Sequence, residues 1–167
     1  SVMVVIDRTP PPPGSPSAEL IHACVEGNLV GVLQALREGA NPNAWRENEG
    51  PAIHSALAWP RIVEALIEAG AEPHARNFWS ERPLEKLASD YQSSEHPVER
   101  ERMEQTARLL MRLGGNAHRA SPFWRTGTLR DAMPQVVAEV EAEQRQALLQ
   151  HRLVAVDDTP TASRPRL

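Results

Sequence analysis

The sequence predicts an all-α fold: an array of about four helix-pair units joined by short hairpin loops. Two observations predict it. Three segments close alike, as Leu36-Arg37-Glu38-Gly39-Ala40-Asn41, Ile67-Glu68-Ala69-Gly70-Ala71-Glu72 and Met111-Arg112-Leu113-Gly114-Gly115-Asn116. Each is a helical run that stops at Gly and turns through polar residues, and such recurrence is the mark of a repeat architecture. Upstream of these closures the apolar residues recur at helical spacing, as in Leu29, Val32, Leu33 and Leu36.

The elements follow in order. Residues 1–17 read as a flexible Pro-rich tail, because Pro10 to Pro13 favour an extended polyproline conformation and Gly14-Ser15-Pro16 breaks a helix. Ser17 is placed to cap a first helix, Ala18 to Val25, and Gly27-Asn28 turns into a second, Leu29 to Glu38. The second unit spans Ala52 to Ala58 and Arg61 to Ala69, with Pro60 suited to a first helical turn. The third runs Pro83 to Ser89, inserts a polar stretch from Asp90 to about Val98, and resumes as a helix to Leu113. The last opens at Thr128 and continues as a long helix from Pro134 to about Arg152. Its stripe (Val136, Val137, Val140, Ala147, Leu148) is interrupted by charge, so one face should stay wet. The repeat domain is thus 18–152. Residues 153–167 read as a disordered tail on their Thr, Pro, Ser and Arg content.

Composition limits the function. Net charge is −4, which argues against nucleic acid and suits a basic partner. One cysteine, Cys24, allows no internal disulfide and fits a reducing compartment. No apolar run approaches the roughly 20 residues of a membrane span. A cytoplasmic location without membrane attachment is expected. The six histidines lack the short spacing of a zinc site, and phosphate loops, nucleophile elbows and paired catalytic carboxylates are absent from the sequence, so no cofactor, metal or catalytic residue is expected. His74 and His118 lie four residues past a closing Gly, where Asn43 stands in the first unit, and read as structural turn residues.

The opening of each unit carries a second motif: Leu20-Ile21-His22-Ala23, Pro51-Ala52-Ile53-His54-Ser55-Ala56, Arg82-Pro83-Leu84-Glu85 and Gly127-Thr128-Leu129-Arg130-Asp131-Ala132. With the Gly-Ala closures, these residues resemble ankyrin repeats, over about Ser17 to Arg152. The resemblance implies a solenoid whose hairpin loops project as fingers and whose first helices line a palm, both used for partner proteins. Only His54 keeps the family histidine, which ties neighbouring turns. Ile21, Glu85 and Arg130 replace it, so that lattice should be weaker here. The second unit is two residues short between His54 and Gly70, and the third eleven long between Glu85 and Gly114. The insertion should bulge from the end of its helix and reshape the binding face.

On the family frame all four tryptophans fall at partner positions: Trp45, Trp79 and Trp124 in finger loops and Trp59 at the palm end of a first helix. Phe78 and Phe123 adjoin two of them, and Arg46, Arg76 and Arg125 flank the aromatics. Exposed Trp and Arg are enriched at binding hot spots. The alternative is that each Trp only braces the neighbouring loop. Val25, Glu26, Ser55, Ala58, Lys86 and Ser89 are the expected palm residues. The implied function is a non-enzymatic protein-binding module, monomeric by itself. Size and family habit suggest a bacterial immunity protein that neutralises a toxin. A secreted effector acting on host proteins, or a small enzyme, are the alternatives.

Overall fold

The computed structural model describes residues 4–157. Seven α-helices, α1 (Pro16–Glu26), α2 (Leu29–Arg37), α3 (Pro60–Glu68), α4 (Pro83–Ser93), α5 (Pro97–Arg112), α6 (Leu129–Ala132) and α7 (Pro134–Asp157), account for most of these residues. A 3₁₀ turn, Ala52–Ser55, and a two-stranded hairpin, β1 (Trp45–Arg46) with β2 (Gly50–Pro51), complete the secondary structure. The helices form two layers. In one, α1, the 3₁₀ turn, α4 and α6 touch in succession; in the other, α2, α3, α5 and α7 do. Between them lies a single apolar core that includes Leu20, Ile53, Ile62, Leu66, Leu87, Leu110 and Leu129, all fully buried.

The three closures share one hydrogen-bond pattern. Gly39, Gly70 and Gly114 have φ of 93°, 105° and 95°. Their N–H groups donate to Leu36, Ile67 and Met111, and the following residues Ala40, Ala71 and Gly115 donate to Ala35, Leu66 and Leu110. This is the Schellman arrangement, which satisfies orphan helix carbonyls and calls for a left-handed residue that Gly supplies without strain. Ala40 and Ala71 are buried by it. Gly115 stands in for Ala because a Cβ there would come within 2.5 Å of the Leu84 side chain.

Several boundaries differ from the expectations. Ser15, not Ser17, caps α1, its Oγ accepting from Ala18 N at 3.3 Å. Ser17 Oγ instead accepts from Asn41 N at 2.9 Å, tying α1 to the first closing turn. Residues 52–58 form only a short 3₁₀ turn, in the unit that is two residues short. The polar stretch after Ser89 does not bulge as a loop. It prolongs α4 by a turn, held by Lys86–Asp90 at 2.7 Å and by Tyr91, whose hydroxyl donates to Glu104 at 2.9 Å, and α5 opens at Pro97. Residues 4–15 hold neither helix nor strand, yet Arg8 stacks over the Trp45 ring at 5.3 Å. On α7, Val136, Val137 and Val140 are buried as expected, but Ala147 and Leu148 are exposed, and the helix runs on to Asp157. Its inner half is clamped by Arg108–Glu139, Arg112–Glu143 and His118–Glu141. The rest of the expected C-terminal tail, 158–167, lies outside the described residues, as do Val2 and Met3. No helix among the described residues is long and apolar enough to cross a membrane.

Candidate functional site

Each of the three loops between units contains a left-handed residue other than glycine: Asn48, Ser80 and Arg125, with φ of 61°, 60° and 48°. Such a backbone costs about 1 kcal/mol or more and persists where its surroundings fix it.

In the first loop the strand pair aligns Trp45 with Pro51, and Trp45 is only 6% exposed. Trp45 is therefore not a projecting finger residue. Its ring is buried apart from the main core cluster, with Arg8 over it. Arg46 is half-buried, and its Nη1 lies 3.5 Å from Ser55 Oγ on the palm side. Trp59 is half-buried. It packs on the core, its ring fills the space beside Gly27, and the Arg102 guanidinium lies 4.2 Å over it while Arg102 Nε donates to Ala58 O. Both tryptophans pack as the bracing alternative describes, Trp45 buried and Trp59 half-buried.

The second and third loops behave otherwise. Buried Asn77 accepts through Oδ1 from Trp79 N at 3.0 Å and Glu81 N at 2.9 Å, and donates through Nδ2 to Glu81 at 3.1 Å. Phe78 N donates to Glu49 O at 2.7 Å, anchoring this turn on the first loop. Buried Ser121 does the same for the third loop, its Oγ accepting from Trp124 N at 3.1 Å. Each buried polar side chain thus presents a Phe-Trp pair on a fixed turn.

The two pairs meet. Ring centroids are 5.2 Å apart for Phe78–Trp79, 6.3 Å for Trp79–Trp124 and 4.8 Å for Phe123–Trp124, the outer two edge-to-face. Phe78, Trp124 and Phe123 are 55%, 56% and 59% exposed, and Trp79 is half-buried. Four aromatic side chains therefore form a ladder across two loops, with exposed Arg76 and Arg125 adjoining it in sequence.

The face on which the palm residues were expected carries a groove of about 560 Å³. Val25, Ser55, Ala58 and Lys86 line it as expected; Glu26 and Ser89 do not. Its other wall is Ser93 to His96, in the third-unit insertion that was expected to reshape this face, with Glu99 of α5 beside it. Glu95, Glu99, Glu101 and Glu104, an acidic run near that insertion, were the available signal, but solvated helix faces carry such runs too.

Histidines at the turns act as ties between units. His54, buried, places Nε2 2.7 Å from Ala75 O in the next turn. Burial outweighs that bond and pushes its pKa down to about 4, so it is neutral and donates. His74 Nε2 lies 2.9 Å from Leu113 O, and Asn43 accepts from Glu72 N at 2.8 Å, so residues four past a closing Gly reach into the next unit. Glu85 does not tie the next turn: its carboxylate caps its own helix, accepting from Arg82 N at 2.8 Å. Cys24 is buried, and burial raises its thiol to about 12. No group of three or more His, Cys, Asp or Glu among the described residues is arranged to hold a metal ion.

No protein-family model matches the chain, and no curated protein matches it in sequence.

Proposed function

We propose that the chain is a non-enzymatic, ankyrin-type binding module that works in the cytoplasm as an inhibitor of the immunity-protein kind, covering a surface that a basic toxin or enzyme needs. The ankyrin reading is supported by the three matching Schellman closures, the two helical layers and the His54–Ala75 tie. The observation that carries the binding role is the ladder Phe78–Trp79–Trp124–Phe123. Its rings are kept in water by turns that Asn77 and Ser121 hold rigid, and rigid aromatic anchors bind at low entropic cost. The acidic net charge favours a basic partner.

The test is capture from a lysate of the source cells by the immobilised chain, read by mass spectrometry. A protein should be retained by the parent and lost when Trp79→Ala and Trp124→Ala are combined. Equal retention by both would reject the ladder as the site.

A further inference from the structure

The palm groove has a specific composition. Its apolar lining is Val25 and Ala58 with buried Leu57 and Met103. Four carboxylates line it, Glu49, Asp90, Glu95 and Glu99, against two cations. Lys86 pairs with Asp90 at 2.7 Å, while Arg46 reaches only Ser55 Oγ, at 3.5 Å. Glu49, Glu95 and Glu99 hold no salt bridge among the described residues.

A second, independent observation points to a donor. His54 also lines the groove and is 2% exposed. Its Nε2–H is spent on Ala75 O, which leaves Nδ1 a bare acceptor, and that atom has no partner. A buried, unsatisfied acceptor carries a desolvation cost that a ligand's N–H would relieve. Glu49, Glu95, Glu99 and Nδ1 of His54 are thus acceptors open to a donor, and Leu57, Ala58 and Met103 in the lining suit methylene groups.

We propose that the groove receives an arginine side chain of the partner protein, with its stem on Leu57, Ala58 and Met103 and its guanidinium among Glu49, Glu95, Glu99 and Nδ1 of His54. Arginine fits better than lysine because a planar fork of five N–H donors serves a ring nitrogen and carboxylates together, whereas an ammonium is a compact, strongly hydrated charge. Long cationic side chains bury their stems while the head stays polar. Glu49 links this groove to the ladder, since its carbonyl accepts from Phe78 N. An arginine beside an apolar pocket on the partner would therefore engage both. This rests on the binding-module reading but is tested apart from it.

The test is titration of the full chain with N-acetyl-arginine amide, followed by nuclear magnetic resonance of the isotope-labelled His54 ring nitrogens. The expected result is a saturable shift of Nδ1 that the citrulline amide does not produce and the lysine amide produces weakly. Combining Glu95→Gln with Glu99→Gln should weaken it at least about tenfold, with the folded spectrum intact. Trp79→Ala with Trp124→Ala should leave it unchanged, so a failed ladder and a failed groove are told apart. An unmoved Nδ1, or an equal response to citrulline or lysine, would overturn the arginine site.

Discussion

Trp79 and Trp124 lie with ring centroids 6.3 Å apart and planes inclined by 48°, although each belongs to a different loop. Neither loop is an isolated tip. The contact joins two Phe-Trp pairs into one surface and couples the loops mechanically, because each ring is carried on a turn pinned by a buried side chain.

Those pins make a first prediction. Asn77→Ala removes two accepted bonds and one donated bond at a buried site. It should cost about 2–3 kcal/mol in stability, and it should also quench less uniformly: Trp79 should become more accessible to acrylamide. Urea unfolding and fluorescence quenching read the two effects separately.

The tryptophans should divide by role. Trp45→Ala empties a nearly buried site and should destabilise by about 3–5 kcal/mol, whereas Trp124→Ala should stay within about 1 kcal/mol of the parent. Thermal unfolding of the two single variants checks the order. Similar losses for both would contradict the division between braces and contacts.

The sequence made part of this legible. The Gly closures could be read because a Schellman cap is local, spelled by residues within one turn. The aromatic pairs could be found too, since Asn77-Phe78-Trp79 and Pro122-Phe123-Trp124 stand in loops. The fate of Trp45 and Trp59 could not. It depends on Arg8 and Arg102, residues distant in the chain that supply cations over their rings. The extension of α4 was hidden for a related reason: beside the local Lys86–Asp90 pair it is held from α5, where Glu104 accepts from Tyr91. The meeting of the two loops needed the stacking distance, which no spacing encodes.

Gly27 and Gly39 separate backbone strain from packing. Both have positive φ, but a Cβ on Gly39 meets nothing within 4 Å, while one on Gly27 would lie 2.3 Å from the Trp59 ring. Gly39→Ala should cost about 1–2 kcal/mol. Gly27→Ala should cost clearly more, and Trp59→Leu should recover part of the difference in a double-mutant cycle measured by denaturant unfolding.

Acid should weaken the fold through His54. Its pKa falls from 6.5 when unfolded to about 4 when folded, chiefly by burial. Above 6.5 both states are neutral and the stability is complete. As pH drops below 6.5 the unfolded chain takes up a proton that the folded chain refuses, so stability declines until about 4, by up to about 3 kcal/mol. Unfolding free energies across that window should fall, and His54→Gln should flatten the slope while lowering stability at neutral pH.

The most direct measurement of the central claim is hydrogen–deuterium exchange on the complex with the captured partner. The account predicts that the partner slows exchange in the loops around Phe78–Ser80 and Phe123–Arg125. Protection confined to α2, α3 and α5, with both loops exchanging as in the free chain, would contradict it.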